Sequence, residues 1–102
     1  VVPLRGRQLD HAFTGLPEGQ WSVALAAPDA GRGVELRAST RWAQVFLADA
    51  FERQGVAVEP MTCPPNAFNS GTDLIVLQPG EQTVFAAEIS AVRVSPEGDS
   101  LN

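Results

Sequence analysis

A chain of 102 residues has about the length of one small domain, and 44% hydrophobic with 19% charged residues is enough for a core, which excludes a disordered chain. Seven arginines, no lysine and twelve acids leave a net charge of −5, the wrong sign for a protein that grips nucleic-acid phosphates. The apolar runs are too short to span a bilayer, and no basic amphipathic stretch suits a membrane surface.

The opening "VVPLRGRQLD" lacks the order of a signal peptide and has no initiator Met, so the chain is expected to be cut from something longer. "QWSVALAA" alternates Trp21, Val23 and Leu25 on one strand face, and "PDAGRG" from Pro28 is a turn cluster. "VELRAS" returns with Val34 and Leu36 inward, which completes a hairpin with a longer loop. "WAQVFLADA" from Trp42 reads as a strand, with a short helix as the competing reading because Ala43, Phe46, Leu47 and Ala50 also fit a 3.6 period. "QGVAVE", Leu74 to Leu77, and "TVFAAEISAVRV" are further strands, and "SPEGDSLN" is a polar tail. Six strands in so short a chain indicate an all-β protein, a β-sandwich or part of one.

"VAVEPMTCPPNAFNSG" sets a carboxylate, Glu59, at the end of an apolar strand. The residue before a proline is held extended, and Pro60 has no N–H to continue a ladder, so Glu59 projects beyond the sheet. Pro64 and Pro65 stiffen the following loop. A carboxylate leaving a partly buried strand beside a stiff loop suits a general base. The same residue also fits an edge Glu that pairs with an arginine or caps a loop amide, and residue types alone leave the two readings open.

The stretch "VAVEPMTCPPNAFNSGTDLIVLQPGE", together with "LDHAFTGL" upstream, resembles the C-terminal signature of the aldose 1-epimerase (galactose mutarotase) family. The likeness covers about residues 6 to 90. It implies the C-terminal portion of a large antiparallel β-sandwich over residues 1–90, with 91–102 as the end of the last strand and the tail. It further implies that Glu59 is the catalytic base and that Asp10 binds sugar hydroxyls, with no metal or cofactor. The activity implied is anomer interconversion of a hexose by ring opening, and the alternative is a β-sandwich module that binds carbohydrate without catalysis. The family's acid is a histidine expected upstream of this chain. His11, the only histidine, is expected to be a surface-loop residue, because neighbours on a strand point apart. The implied partner is a monosaccharide, with neither nucleic acid nor membrane, and the cut sheet edges lead one to expect self-association or pairing with a preceding segment.

Trp21 and Trp42 could stack on a sugar ring, but their strand settings favour core packing. Cys63 cannot form an internal disulfide, fits a cytoplasmic, reducing setting, and has no marks of a nucleophile. Asn66 and Asn69 are expected to hold the loop through bonds to the backbone. Gly15, Gly19, Gly31 and Gly33 form no phosphate cradle, and no Cys/His cluster has metal-ligand spacing.

Overall fold

The computed structural model describes residues 3, 4, 6–47 and 55–95. Six strands carry the chain through it: β1 (Asp10–Phe13), β2 (Trp21–Ala27), β3 (Arg32–Ala38), β4 (Trp42–Leu47), β5 (Val56–Met61) and β6 (Ala87–Arg93). They form two three-stranded antiparallel sheets, ordered β1-β4-β5 and β2-β3-β6. Helix among the described residues is limited to a 3-10 turn (Pro28–Ala30) and one α-helical turn, α1 (Ala67–Ser70). The protein is all-β, as its alternating pattern predicts.

β2 and β3 form the expected hairpin. Pro28 opens the 3-10 turn with its fixed φ, and Gly31 closes it at φ 66°, a conformation that costs other residues about 1 kcal/mol. Gly33 is required for space: a Cβ there would stand 2.6 Å from the Leu25 carbonyl oxygen and 3.1 Å from Val94 Cγ2. Val94 is buried over this point. Gly33→Ala is therefore expected to lower stability by about 1–3 kcal/mol through overpacking. A urea midpoint equal to that of the native chain would show that the strands part without cost.

The sheets meet at one end. Trp21, Leu36 and Ala38 of one sheet pack on Ala43 and Val58 of the other, with Leu16 from the β1–β2 connection. Burial of that apolar surface is the main stabilising term available to the contact. Along the same face, exposure rises from Trp21 at 6% to Leu25 at 45%, and Val34 and Ile89 reach 48% and 73%. The predicted face of Trp21, Val23 and Leu25 is present. Val34, expected inward, instead stands in solvent, because no described element packs over that end. On the opposite face Arg37 Nε donates to Glu35 at 2.7 Å and stands across from Glu88. The bond and charge of Glu35, then the charge of Glu88, raise the Arg37 pKa. Arg37 is exposed and Glu35 half-buried, so the pair lies at the surface and contributes little to stability.

The Trp42 run is a strand through Leu47, not a helix; its continuation at 48–50 lies outside the described residues. β5 continues through Pro60 to Met61, where the sequence suggests a ladder weakened or ended. The reason is the direction of the backbone groups. Leu47 N–H donates to the Leu9 carbonyl at 2.8 Å, so odd-numbered residues of β4 bond towards β1 and even-numbered ones towards β5. Glu59 and Met61 oppose Gln44 and Trp42, so they share the β4 ladder, and Pro60 turns its nitrogen to the open edge.

Two strand expectations are corrected. Leu74 to Leu77 form no strand: Ile75, Val76 and Leu77 are exposed, and no described strand pairs with them. The final strand begins at Ala87 rather than Thr83. β3 ends at Ala38, opposite Ala87; just beyond, Ala86 exchanges bonds with Ser39, its carbonyl accepting from Ser39 N–H and its own N–H donating to Ser39 Oγ. The polar tail at 96–102 lies outside the described residues.

Candidate active site

β4 lies in the middle of its sheet and has two unlike faces. Ala43 and Leu47 are buried on one, while Trp42, Gln44 and Phe46 alternate onto the other. Register carries this outer face onto both neighbours: Glu59 lies opposite Gln44, and Asp10 lies opposite Phe46. Gln44 Nε2 donates to Asp10 Oδ1 at 2.6 Å. Asp10, Gln44 and Glu59 thus form a row across all three strands, although 34 and 15 residues separate Gln44 from the other two in sequence. Gln44 Oε1 is buried and accepts no hydrogen bond from any described residue.

Both carboxylates are exposed. Glu59 is the exposed residue of a strand whose other residues are half-buried. His11 belongs to β1 rather than to a loop, and lies opposite Val45 on the face away from Asp10. Its Nδ1 accepts from the Asp10 backbone N–H at 3.1 Å, and its ring stands 6.3 Å from that of Phe13. The geometry brings Asp10 and Glu59 to one face and leaves His11 on the other.

The loop after β5 is tied at both ends to Trp42. Met61 opposes Trp42 in the ladder, and Asp73 Oδ2 accepts the Trp42 indole N–H at 2.8 Å. Arg41 Nη1 donates to the other Asp73 oxygen at 3.1 Å. Between these ties Asn66 adopts φ 67°, and its side-chain oxygen accepts from Asn69 Nδ2 at 2.6 Å. The two asparagines bond to each other, not to the backbone as expected; the backbone bonds of α1 close the turn. Phe68 projects from it at 94% exposure. The Cys63 thiol is half-buried in this loop.

An open cavity of about 370 Å³ lies beside the tie, lined by Ser39, Arg41, Thr62, Asp73 and Phe85 among others. Glu59 and Asp10 do not line it. Trp21 is a core residue, as expected, with its indole N–H donating to the Thr40 carbonyl at 2.7 Å. Trp42, also expected in the core, is only half-buried and shares the outer face with Gln44 and Glu59. Sequence reasoning passed over Gln44, because a lone Gln in a strand has no pattern of its own; only register reveals it. Among the described residues no three His, Cys, Asp or Glu side chains are grouped to hold a metal. No described helix is long and apolar enough to cross a membrane.

Residues 2–90 match the aldose 1-epimerase family. The chain belongs to that family. Its "LDHAF" and Glu59 segments both lie within the match, so family membership and the shared face of Asp10 and Glu59 concern the same residues. Over 74 residues this family member is 42% identical to the uncharacterized protein YihR of Escherichia coli (strain K12), a stretch covering 72% of the chain. It spans about a quarter of that relative's length, 24%. No solved structure matches the chain.

Proposed function

We propose that the outer face of the β1-β4-β5 sheet is the base-bearing part of an aldose 1-epimerase site, which interconverts the α and β anomers of a hexose. The observation that carries this reading is the row of Asp10, Gln44 and Glu59 across three strands of one sheet. Glu59 takes the proton of the C1 hydroxyl while an acid protonates the ring oxygen. The C1–O5 bond breaks to give the open aldehyde, C1 turns about its bond to C2, and closure on the other face gives the second anomer. Acid and base exchange duties on closure, so no group is consumed. Asp10 accepts hydrogen bonds from sugar hydroxyls, and Gln44 holds that carboxylate in place.

The acid that the resemblance implies is a histidine, and His11, the only histidine in the sequence, faces away from Glu59. A carbohydrate-binding module would have no need of a base at Glu59, and polarimetry separates the two readings. Freshly dissolved α-galactose or α-glucose should reach its equilibrium rotation faster in the presence of the protein. Sugar binding without acceleration, even when the preceding family segment is supplied, would leave only the binding module. Asp10→Ala is expected to raise KM about tenfold, as loss of a charged hydrogen-bond partner does, with a smaller change in kcat. Equal KM values for the two proteins would remove Asp10 from the sugar site. The single thiol, Cys63, suits a cytoplasmic setting.

A further inference from the structure

The tie between β4 and the loop after the base has a chemistry that the row of Asp10, Gln44 and Glu59 does not explain. Trp42 lies on the outer face, diagonal to Glu59 across the β4–β5 ladder. Diagonal neighbours in such a ladder are about 7–8 Å apart at Cα, within reach of an aromatic side chain. The indole is half-buried, unlike that of Trp21, and its N–H is taken by a carboxylate from the loop rather than by core backbone. That carboxylate is held in turn by Arg41, and Asp73 adopts φ 51°, a left-handed conformation that Asp accepts more readily than most residues other than glycine. A residue whose carboxylate is held by one side chain while it fixes the ring of another beside an acid is a positioning residue.

We propose that Trp42 is the apolar platform of the sugar site, receiving the C–H face of the pyranose beside Glu59, and that Asp73 sets the orientation of its ring. The inference rests on the reading of this sheet face as a hexose site. An indole ring offers a flat apolar surface and keeps its polar N–H for a fixed partner, which suits a ligand with one apolar and one hydroxyl-bearing side. With the N–H bound to Asp73, the ring cannot turn without breaking a charge-assisted hydrogen bond. Trp42 and Asp73 therefore govern how tightly a pyranose sits, and Glu59 governs what happens to it.

The test is binding of D-galactose and D-glucose by calorimetry to the native chain, Trp42→Phe, Trp42→Leu, Asp73→Asn and Asp73→Ala, with Asp10→Ala alongside and far-UV circular dichroism to confirm folding. Trp42→Phe keeps a flat ring and is expected to bind within about threefold of native, whereas Trp42→Leu keeps strand packing without the platform and should bind about tenfold more weakly. Asp73→Asn retains an oxygen for the indole N–H and should stay near native, while Asp73→Ala should weaken binding towards the Trp42→Leu value. Galactose should also shift the tryptophan fluorescence of the native chain and leave that of Trp42→Phe unchanged, since Trp21 is buried. Unaltered affinity in Trp42→Leu, with affinity lost in Asp10→Ala, overturns the platform and leaves the sugar site standing. Absence of hexose binding by the native chain overturns both.

Discussion

With Glu59 as the proposed base, Glu59→Gln is expected to slow mutarotation by about 10²–10⁴-fold, the usual contribution of a positioned proton-transfer group. The substitution keeps shape and removes only the ability to take a proton. Glu59 is exposed, and its carboxylate bonds to no described side chain, so stability should change by no more than about 0.5 kcal/mol. Unchanged unfolding with a collapsed rate is the signature of lost chemistry rather than lost structure. Because the same proton is moved in both directions, the loss should be equal whether the α or the β anomer is the starting material. A Glu59→Gln protein that restores equilibrium rotation at the native rate would remove Glu59 from the reaction.

Trp21→Ala is the second large effect, and it falls on folding. Trp21 is 6% exposed and joins Leu36 and Ala38 to Ala43, the place where the two sheets touch. Truncating a buried Trp typically costs about 3–5 kcal/mol, a large share of the roughly 5–15 kcal/mol that holds a domain together. Part of the loss is polar: the Thr40 carbonyl accepts the indole N–H at 2.7 Å in a buried setting and would be left without it. Trp21→Phe removes the N–H with only part of the ring volume and should cost less, about 1–3 kcal/mol. Urea unfolding followed by circular dichroism reads both. A Trp21→Ala midpoint close to native would mean that the sheet contact contributes little to stability.

The strands were legible where alternation and turn residues coincide. Trp21 to Ala38 shows both, and the hairpin follows from them. Leu74 to Leu77 is as apolar as any strand, yet it pairs with nothing described; a strand exists through its partner, and local composition does not reveal one. The start of β6 was misplaced for the same reason, since β3 ends at Ala38 and the ladder ends with it. The site was legible only in part. Asp10 and Glu59 came from the likeness to the aldose 1-epimerase family, while the residues by themselves also fit Glu59 as an edge Glu. Gln44 needed the register of two strand pairs, and the bond from Trp42 to Asp73 joins residues 31 apart in the chain. The side of the sheet each residue occupies depends on that register, because a shift by one residue reverses every face.

The outward nitrogen of Pro60 also decides how the sheet can grow. β5 is the outer strand of the β1-β4-β5 sheet among the described residues, and an incoming chain would seek the backbone donors of Val56, Val58 and residue 60 in turn. The third is missing, and the pyrrolidine ring occupies its place. An intruding strand would lose a rung one residue past Glu59, at the end of β5 where the loop departs. The proline that fixes the backbone beside Glu59 is thereby a guard on that margin, keeping the approach to the carboxylate free of stray β-addition.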